Sequence, residues 1–226
     1  RMRGVIFTGE GVDDALTDRI NTFPSPIVVA SQDHPRLKCP VAYFDNYQAA
    51  RDVVVHLTES GHREIGFISC PLEDPQAGEM RWRGYHDAMA DADLPVRDGY
   101  VQQAGDFTIE AGYRAAADLL DSTLSQNLRP TVIFAASDRV AIGATRLLRD
   151  RGIRVPRDIG IFGFDNIPVG EKLVPSLSSV FLDFSELGEV AATMLVHQIR
   201  RSSSQVRKVI LTHTMIPRES SAYGNA

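Results

Sequence analysis

Short, almost uncharged apolar runs alternate along the chain with longer stretches in which apolar residues recur every three or four positions. The short runs cover residues 4–8, 27–30, 41–44, 65–69, 99–102, 132–135 and 159–162, and they are rich in Val, Ile and Phe. Strands covered on both faces by helices have this composition. The longer stretches predict helices. One starts at Asp45 or Asn46, either able to cap it, carries Ala50, Val53, Val54 and Leu57 on one stripe, and stops at Gly61. A second spans 78–93 with Tyr85, Ala88, Met89 and Ala92. A third starts near Thr108, without a full capping box, and presents Ala115, Ala116, Leu119 and Leu120. A fourth runs over 137–151, with Ile142, Leu147 and Leu148 apolar and Gly152 as its stop, and a fifth over 185–201 with Leu187, Val190, Ala191, Met194 and Leu195. A flexible polar turn is expected at 202–205, closing strands at 209–211 and 214–216, and a frayed tail over 220–226. Strands alternating with helices of this length predict an α/β architecture with parallel sheets.

Composition narrows the class. The chain has 226 residues, 43% hydrophobic and 23% charged, enough apolar content for a packed core. Its formal net charge of -5 argues against direct nucleic-acid binding by these residues, because such binders carry a basic patch or stripe. The cluster Arg149, Arg151, Arg154 and Arg157 flanks a helix end and a turn and reads as solvated surface; His62, in a helix-to-strand turn, reads as structural. Cys39 and Cys70 stand far apart in no metal-like spacing and read as structural thiols, with a disulfide as the unsupported alternative. No run approaches the roughly 18 apolar residues of a membrane helix. The opening Arg1-Met2-Arg3 leads straight into a strand and has no signal-peptide pattern, so a preceding segment is expected. Walker-type phosphate loops, Gly-x-Ser-x-Gly elbows and His-Glu-x-x-His motifs are lacking, and Gly160–Gly163 holds only part of a dinucleotide fingerprint, late in the chain. The reading is therefore a non-enzyme that uses no cofactor.

Four segments, taken in order, carry a resemblance: Gly61-His62-Arg63-Glu64-Ile65-Gly66-Phe67-Ile68; Arg81-Trp82-Arg83-Gly84-Tyr85 followed by Ala88; Phe134-Ala135-Ala136-Ser137-Asp138-Arg139-Val140-Ala141-Ile142-Gly143-Ala144; and Val155-Pro156-Arg157-Asp158-Ile159-Gly160-Ile161-Phe162-Gly163-Phe164-Asp165-Asn166-Ile167-Pro168. Pro217-Arg218-Glu219-Ser220 fits as well. Together they resemble the effector-binding domain of LacI/GalR-type transcription regulators, from about residue 4 to 220. The resemblance implies a periplasmic-binding-protein-like fold of type I, two Rossmann-like lobes joined by three crossover strands with a small ligand in the cleft between them. It places the N-terminal lobe at 1–61 plus 183–205 and the C-terminal lobe at 62–182 plus 206–226. It also implies a DNA-reading helix-turn-helix, a hinge and two further β–α units upstream, so the N-terminal lobe is expected to be incomplete in these residues. Implied partners are operator DNA, through a segment outside these residues, a second copy in a homodimer, and a small polar effector, a sugar or sugar derivative first and a nucleobase or nucleoside second. The implied location is cytoplasmic. A solute-binding protein of a sugar transporter is the rival on the same fold.

In open α/β sheets ligands sit beyond the carboxyl ends of the strands. Asp165 follows such a strand and, by resemblance, accepts hydrogen bonds from ligand hydroxyls or amines; otherwise it is a turn-forming Asp. Arg81 matches the family's cleft arginine, whose planar fork suits vicinal hydroxyls or a carboxylate; otherwise it is an exposed helix arginine. Phe107 matches an aromatic that stacks on a sugar or base, or else belongs to a core. Ser137 and Asp138 follow a strand and open a helix; many relatives place Asn at the first of these, and Asp138 serves equally as a cap. Ser31 stands where many relatives have Asp. Leu182 makes the cleft floor more apolar. Asp45 lines the cleft or caps its helix. Val140 and Leu147 are weak candidates for a dimer interface, against burial inside the lobe.

Overall fold

In the computed structural model the described residues are 3–9, 11–126, 128–201 and 207–222. Along the chain the elements are β1 (Val5–Phe7), α1 (Asp14–Asn21), β2 (Ile27–Ala30), β3 (Val41–Phe44), α2 (Asn46–Glu59), β4 (Ile65–Ser69), α3 (Arg81–Asp91), β5 (Val101–Gln103), α4 (Ile109–Ser125), β6 (Val132–Ala135), α5 (Asp138–Asp150), β7 (Gly160–Phe162), β8 (Ser179–Leu182), α6 (Phe184–Arg201), β9 (Lys208–Leu211) and β10 (His213–Ile216). The turn expected at 202–205 and the last four residues lie outside the described residues.

The chain forms two compact units. The described residues of the first come from the chain up to Asp45, from Asp74–Gln76 and from Leu182–His213. Its sheet has the order β1-β2-β3-β9, every pair parallel, with Val29 opposite Val41 and Val41 opposite Lys208. β2 is buried at all four positions, which is why it reads as a continuous apolar run. α6 packs on β1, β2 and β3, and Val12, Ile20, Val29, Leu37 and Val41 form an apolar cluster. α1 begins where Asp13 accepts the Leu16 amide at 2.8 Å.

The second unit comprises Asn46–Glu73, Ala77–Phe181 and the chain from Thr214. Its sheet has the order β5-β4-β6-β7, again all parallel. The core brings Ile68, Ile133 and Ile161 of the sheet together with Leu119 and Leu120 of α4 and Ala141, Ala144 and Leu148 of α5. α4 and α5 cross closely because both carry a glycine at the contact. A Cβ on Gly112 would lie 2.4 Å from the Val140 carbonyl oxygen, and one on Gly143 would lie 2.1 Å from that of Ile109. β8 and β10 pair in a separate two-stranded sheet.

Several expectations change here. α2 belongs with the second unit, because it packs on α3: a Cβ on Gly84 would meet the Tyr47 carbonyl at 2.3 Å, so the glycine admits α2 against α3. Conversely β9 belongs with the first unit, since it extends the sheet beside β3. Val140 and Leu147 are not surface residues: they are 0% and 2% exposed and sit in the α4–α5 core, which removes them as interface candidates. Ser220 and Ser221, expected within a frayed tail, are instead held in place. Ser220 donates its hydroxyl to the Ile161 carbonyl at 2.7 Å and accepts the Ser178 amide at 2.8 Å, and both Ser220 and Ser221 are buried.

Candidate ligand-binding site

Parallel pairing puts the carboxyl ends of β5, β4, β6 and β7 at one edge of the second unit's sheet. The chain leaving that edge reaches Phe107 after β5, Arg81 after β4, Ser137 after β6 and Asp165 after β7. Four of the residues singled out in the sequence therefore follow the four strands of one sheet, where such folds bind ligands.

Arg81 opens α3 and is 5% exposed. Its Nε donates to Asn46 Oδ1 at 2.8 Å and its Nη1 to the Ala136 carbonyl at 2.5 Å. The guanidinium carbon lies 3.7 Å from the centroid of the Phe164 ring, within cation–π range. Nη2 approaches Asp165 Oδ1 only to 3.5 Å, at the far limit of a hydrogen bond. Three firm contacts thus fix the plane of the fork, and the fourth side faces a carboxylate held at a looser distance.

Asp165 and Asn166 form a turn with φ of 103° and 50°, values that L residues other than Asn and Asp rarely adopt. The Asp165 amide donates to the Val180 carbonyl at 2.9 Å, which anchors the turn on β8. Its side chain is 30% exposed. Burial pushes its carboxyl above the usual carboxylate range, and the Arg81 charge opposes that rise.

Ser137 is the N-cap of α5, its hydroxyl accepting the Val140 amide at 3.3 Å, and it is 3% exposed. Asp138 is 0% exposed, with both carboxylate oxygens engaged internally: Oδ1 accepts from the Ser179 hydroxyl at 2.7 Å and Oδ2 from the Ile167 amide at 2.8 Å. It offers no surface to a ligand, which corrects its assignment as a direct contact. Burial pushes its carboxyl up to about 7. Phe107 is half-buried just before Thr108, whose hydroxyl caps α4 by accepting the Ala111 amide at 3.1 Å.

The remaining two lie in the first unit. Ser31 directly follows β2 with φ of 72°, is half-buried, and donates its amide to the Ala42 carbonyl at 2.9 Å. Leu182, the last residue of β8, is only 3% exposed and packs as core.

Sequence reasoning missed the support of the site: Asn46, which orients the Arg81 fork, Phe164 beneath it, and Ser179 beside Asp138. Phe164 was legible as the aromatic flanking Asp165. Asn46 and Ser179 stand 35 and 41 residues from their partners, and nothing local signals them. Among the described residues no group of three or more His, Cys, Asp or Glu could hold a metal ion, and no helix is long and apolar enough to cross a membrane.

A groove of about 510 Å³ lies elsewhere on the second unit, lined by the outer face of α5 (Ile142, Arg146, Arg149) and by Leu173, Val174 and Pro175. Val174 is 97% exposed.

The profile of the periplasmic binding protein-like domain matches residues 54–221. The chain is 33% identical over 217 residues to catabolite control protein A of Priestia megaterium, covering 96% of this chain and 64% of that protein. It superposes with a TM-score of 0.88 on a regulatory protein of the LacI family from Chloroflexus aggregans, at 30% identity, covering 96% of this chain and 76% of that one. A transcriptional regulator CelR–cellobiose complex matches with a TM-score of 0.86 and 30% identity, over 96% and 65% of the two chains. The chain thus spans just under two thirds of the length of the first curated relative it matches.

Proposed function

The chain belongs to the LacI/GalR family, as its periplasmic-binding-protein-like effector domain, and from that premise we propose that it senses a small polar effector for a DNA-binding transcription repressor. The observation that carries this reading is the Arg81 fork, fixed by Asn46, the Ala136 carbonyl and the Phe164 ring and turned toward the half-buried Asp165. A guanidinium beside a carboxylate presents donors and acceptors side by side, the pattern that vicinal hydroxyls satisfy. Phe107 follows the neighbouring strand of the same sheet and supplies a flat apolar face of the kind sugar rings cover. The effector is a sugar or sugar derivative; the relative bound to cellobiose supports that class.

The effector acts through its difference in affinity between two arrangements of the regulator, since equal affinity shifts nothing. DNA is read by a segment outside these residues, in the cytoplasm, and no catalytic step is involved. The regulator works as a homodimer. The outer face of α5 and the Leu173–Val174–Pro175 loop replace Val140 and Leu147 as the surface for the second copy, because the former are accessible and the latter buried.

A thermal-shift screen of the full-length protein against pentoses, hexoses, disaccharides, sugar phosphates, nucleosides and nucleobases tests the proposal. A sugar at 100 times its dissociation constant stabilises by about 2.7 kcal/mol. A shift with purines or nucleosides alone overturns the sugar assignment, and turnover of any compound overturns the sensor.

A further inference from the structure

We propose that Asp138 is a positioning residue that holds the Asp165–Asn166 turn in the shape that brings Asp165 beside Arg81. The inference rests on the reading of Asp165 as an effector contact and concerns how that contact is kept in place.

A turn with Asp at φ of 103° followed by Asn at 50° persists only where its surroundings over-determine it. Here one residue does much of that. The Asp138 amide donates to the Phe164 carbonyl at 2.7 Å, just before the turn. Oδ2 of Asp138 accepts the Ile167 amide at 2.8 Å, just after it. Oδ1 accepts the Ser179 hydroxyl at 2.7 Å, and that same oxygen of Ser179 accepts the Asn166 amide at 2.9 Å, inside it. The residues on both sides of Asp165 are thus tied directly or through one hydroxyl to the first residue of α5. The far side of the turn is pinned separately, by Arg218 Nη2 donating to Asn166 Oδ1 at 2.8 Å.

Three features make position 138 suited to the task. It opens α5, where the helix dipole favours a negative charge. It is fully buried, so its hydrogen bonds do not compete with water. Its carboxylate lies against Gly163, where a Cβ would sit 2.2 Å from Oδ1; the glycine before the turn exists to admit the clamp. Ser179 is the adaptable member. Its hydroxyl proton points to Asp138 when that group is ionised, and it can turn toward the Val180 carbonyl at 3.5 Å when Asp138 carries a proton.

Backbone amide exchange of the full-length protein without effector tests the assignment, in parallel with global unfolding. Ser179→Ala and Asp138→Ala are expected to speed exchange of the Asn166 and Ile167 amides at least tenfold beyond what their global stability explains. Asp138→Asn restores protection, since the amide oxygen accepts from Ile167 and the amide nitrogen donates to Ser179. Should Asp138→Ala fail to fold, Ser179→Ala and Asp138→Asn still decide the matter. Unchanged exchange in Ser179→Ala, or exchange in Asp138→Asn as fast as in Ser179→Ala, overturns the proposal. These readouts need no effector, so a screen that finds no sugar would refute the functional reading and leave the turn measurement standing.

Discussion

Gly143→Ala and Gly188→Ala make the same chemical change on two helices and should change stability with opposite signs. At Gly143 the new methyl group would stand 2.1 Å from the Ile109 carbonyl oxygen, 2.6 Å from the Tyr113 nitrogen and 2.9 Å from the Gly112 carbonyl carbon. All three are α4 backbone atoms, so no rotamer change can relieve the clash. Non-bonded heavy atoms rest at about 3.5 Å, so α4 and α5 must separate by roughly 1 Å or more. Overpacking of this kind costs about 1–3 kcal/mol. Separation also loosens the packing of Leu119 and Leu148, both buried between these helices and the sheet. The expected loss is therefore at the upper end, about 3 kcal/mol. Gly188 lies in α6, exposed, with nothing within 4 Å of its Cβ position, so Ala there should gain about 0.5–1 kcal/mol from helix propensity. Urea unfolding followed by circular dichroism, read at constant m-value, measures both. A Gly143→Ala variant within 0.5 kcal/mol of wild type, or equal signs at the two sites, would refute the claim that glycine sets the α4–α5 contact.

Asp138→Asn should alter how stability depends on pH. Because burial moves the Asp138 carboxyl from 3.8 up to about 7, the folded chain between those values holds a proton that the unfolded chain has released, and stability falls as pH rises through the window. That gap corresponds to about 4 kcal/mol, so the Asn variant should gain on wild type by that order between pH 4 and 7.5 in denaturant titrations; a flat difference removes the buried carboxyl from the account. Val174→Asp places a charge on a position that is 97% exposed, so the fold should be unchanged while sedimentation shows weaker dimerisation of the full-length protein. A dimer of wild-type affinity would take the loop out of the interface.

Strands were most legible where burial left a nearly continuous apolar run: β2, β3, β4 and β6 have the bounds their composition suggests, and β7 starts one residue later than expected. α1 was not, because in Asp14–Asn21 only Thr17 and Ile20 are buried, too few to show a stripe. β8 was not, because its four residues begin inside the Ser-rich stretch at 176–179 and give no period to read. On α5 the misplaced interface had a readable cure. Val140, Ala144, Leu147 and Leu148 form the inward stripe, whereas Ile142, Thr145, Arg146 and Arg149 share the opposite face at helical spacing. Arg81, Ser137 and Asp165 were recognisable from motif and from position after a strand. The buried role of Asp138 was not, because its partner Ser179 comes from another element, and capping alone accounts for an Asp at a helix start.

Calorimetric titration of the full-length protein and of its Arg81→Ala and Asp165→Ala variants, against whichever sugar gives the largest thermal shift, reaches the central claim most directly. The account predicts saturable binding of one molecule per chain by wild type, and affinity at least a hundredfold weaker in each variant while its unfolding stays cooperative. Wild-type affinity in both variants would contradict it.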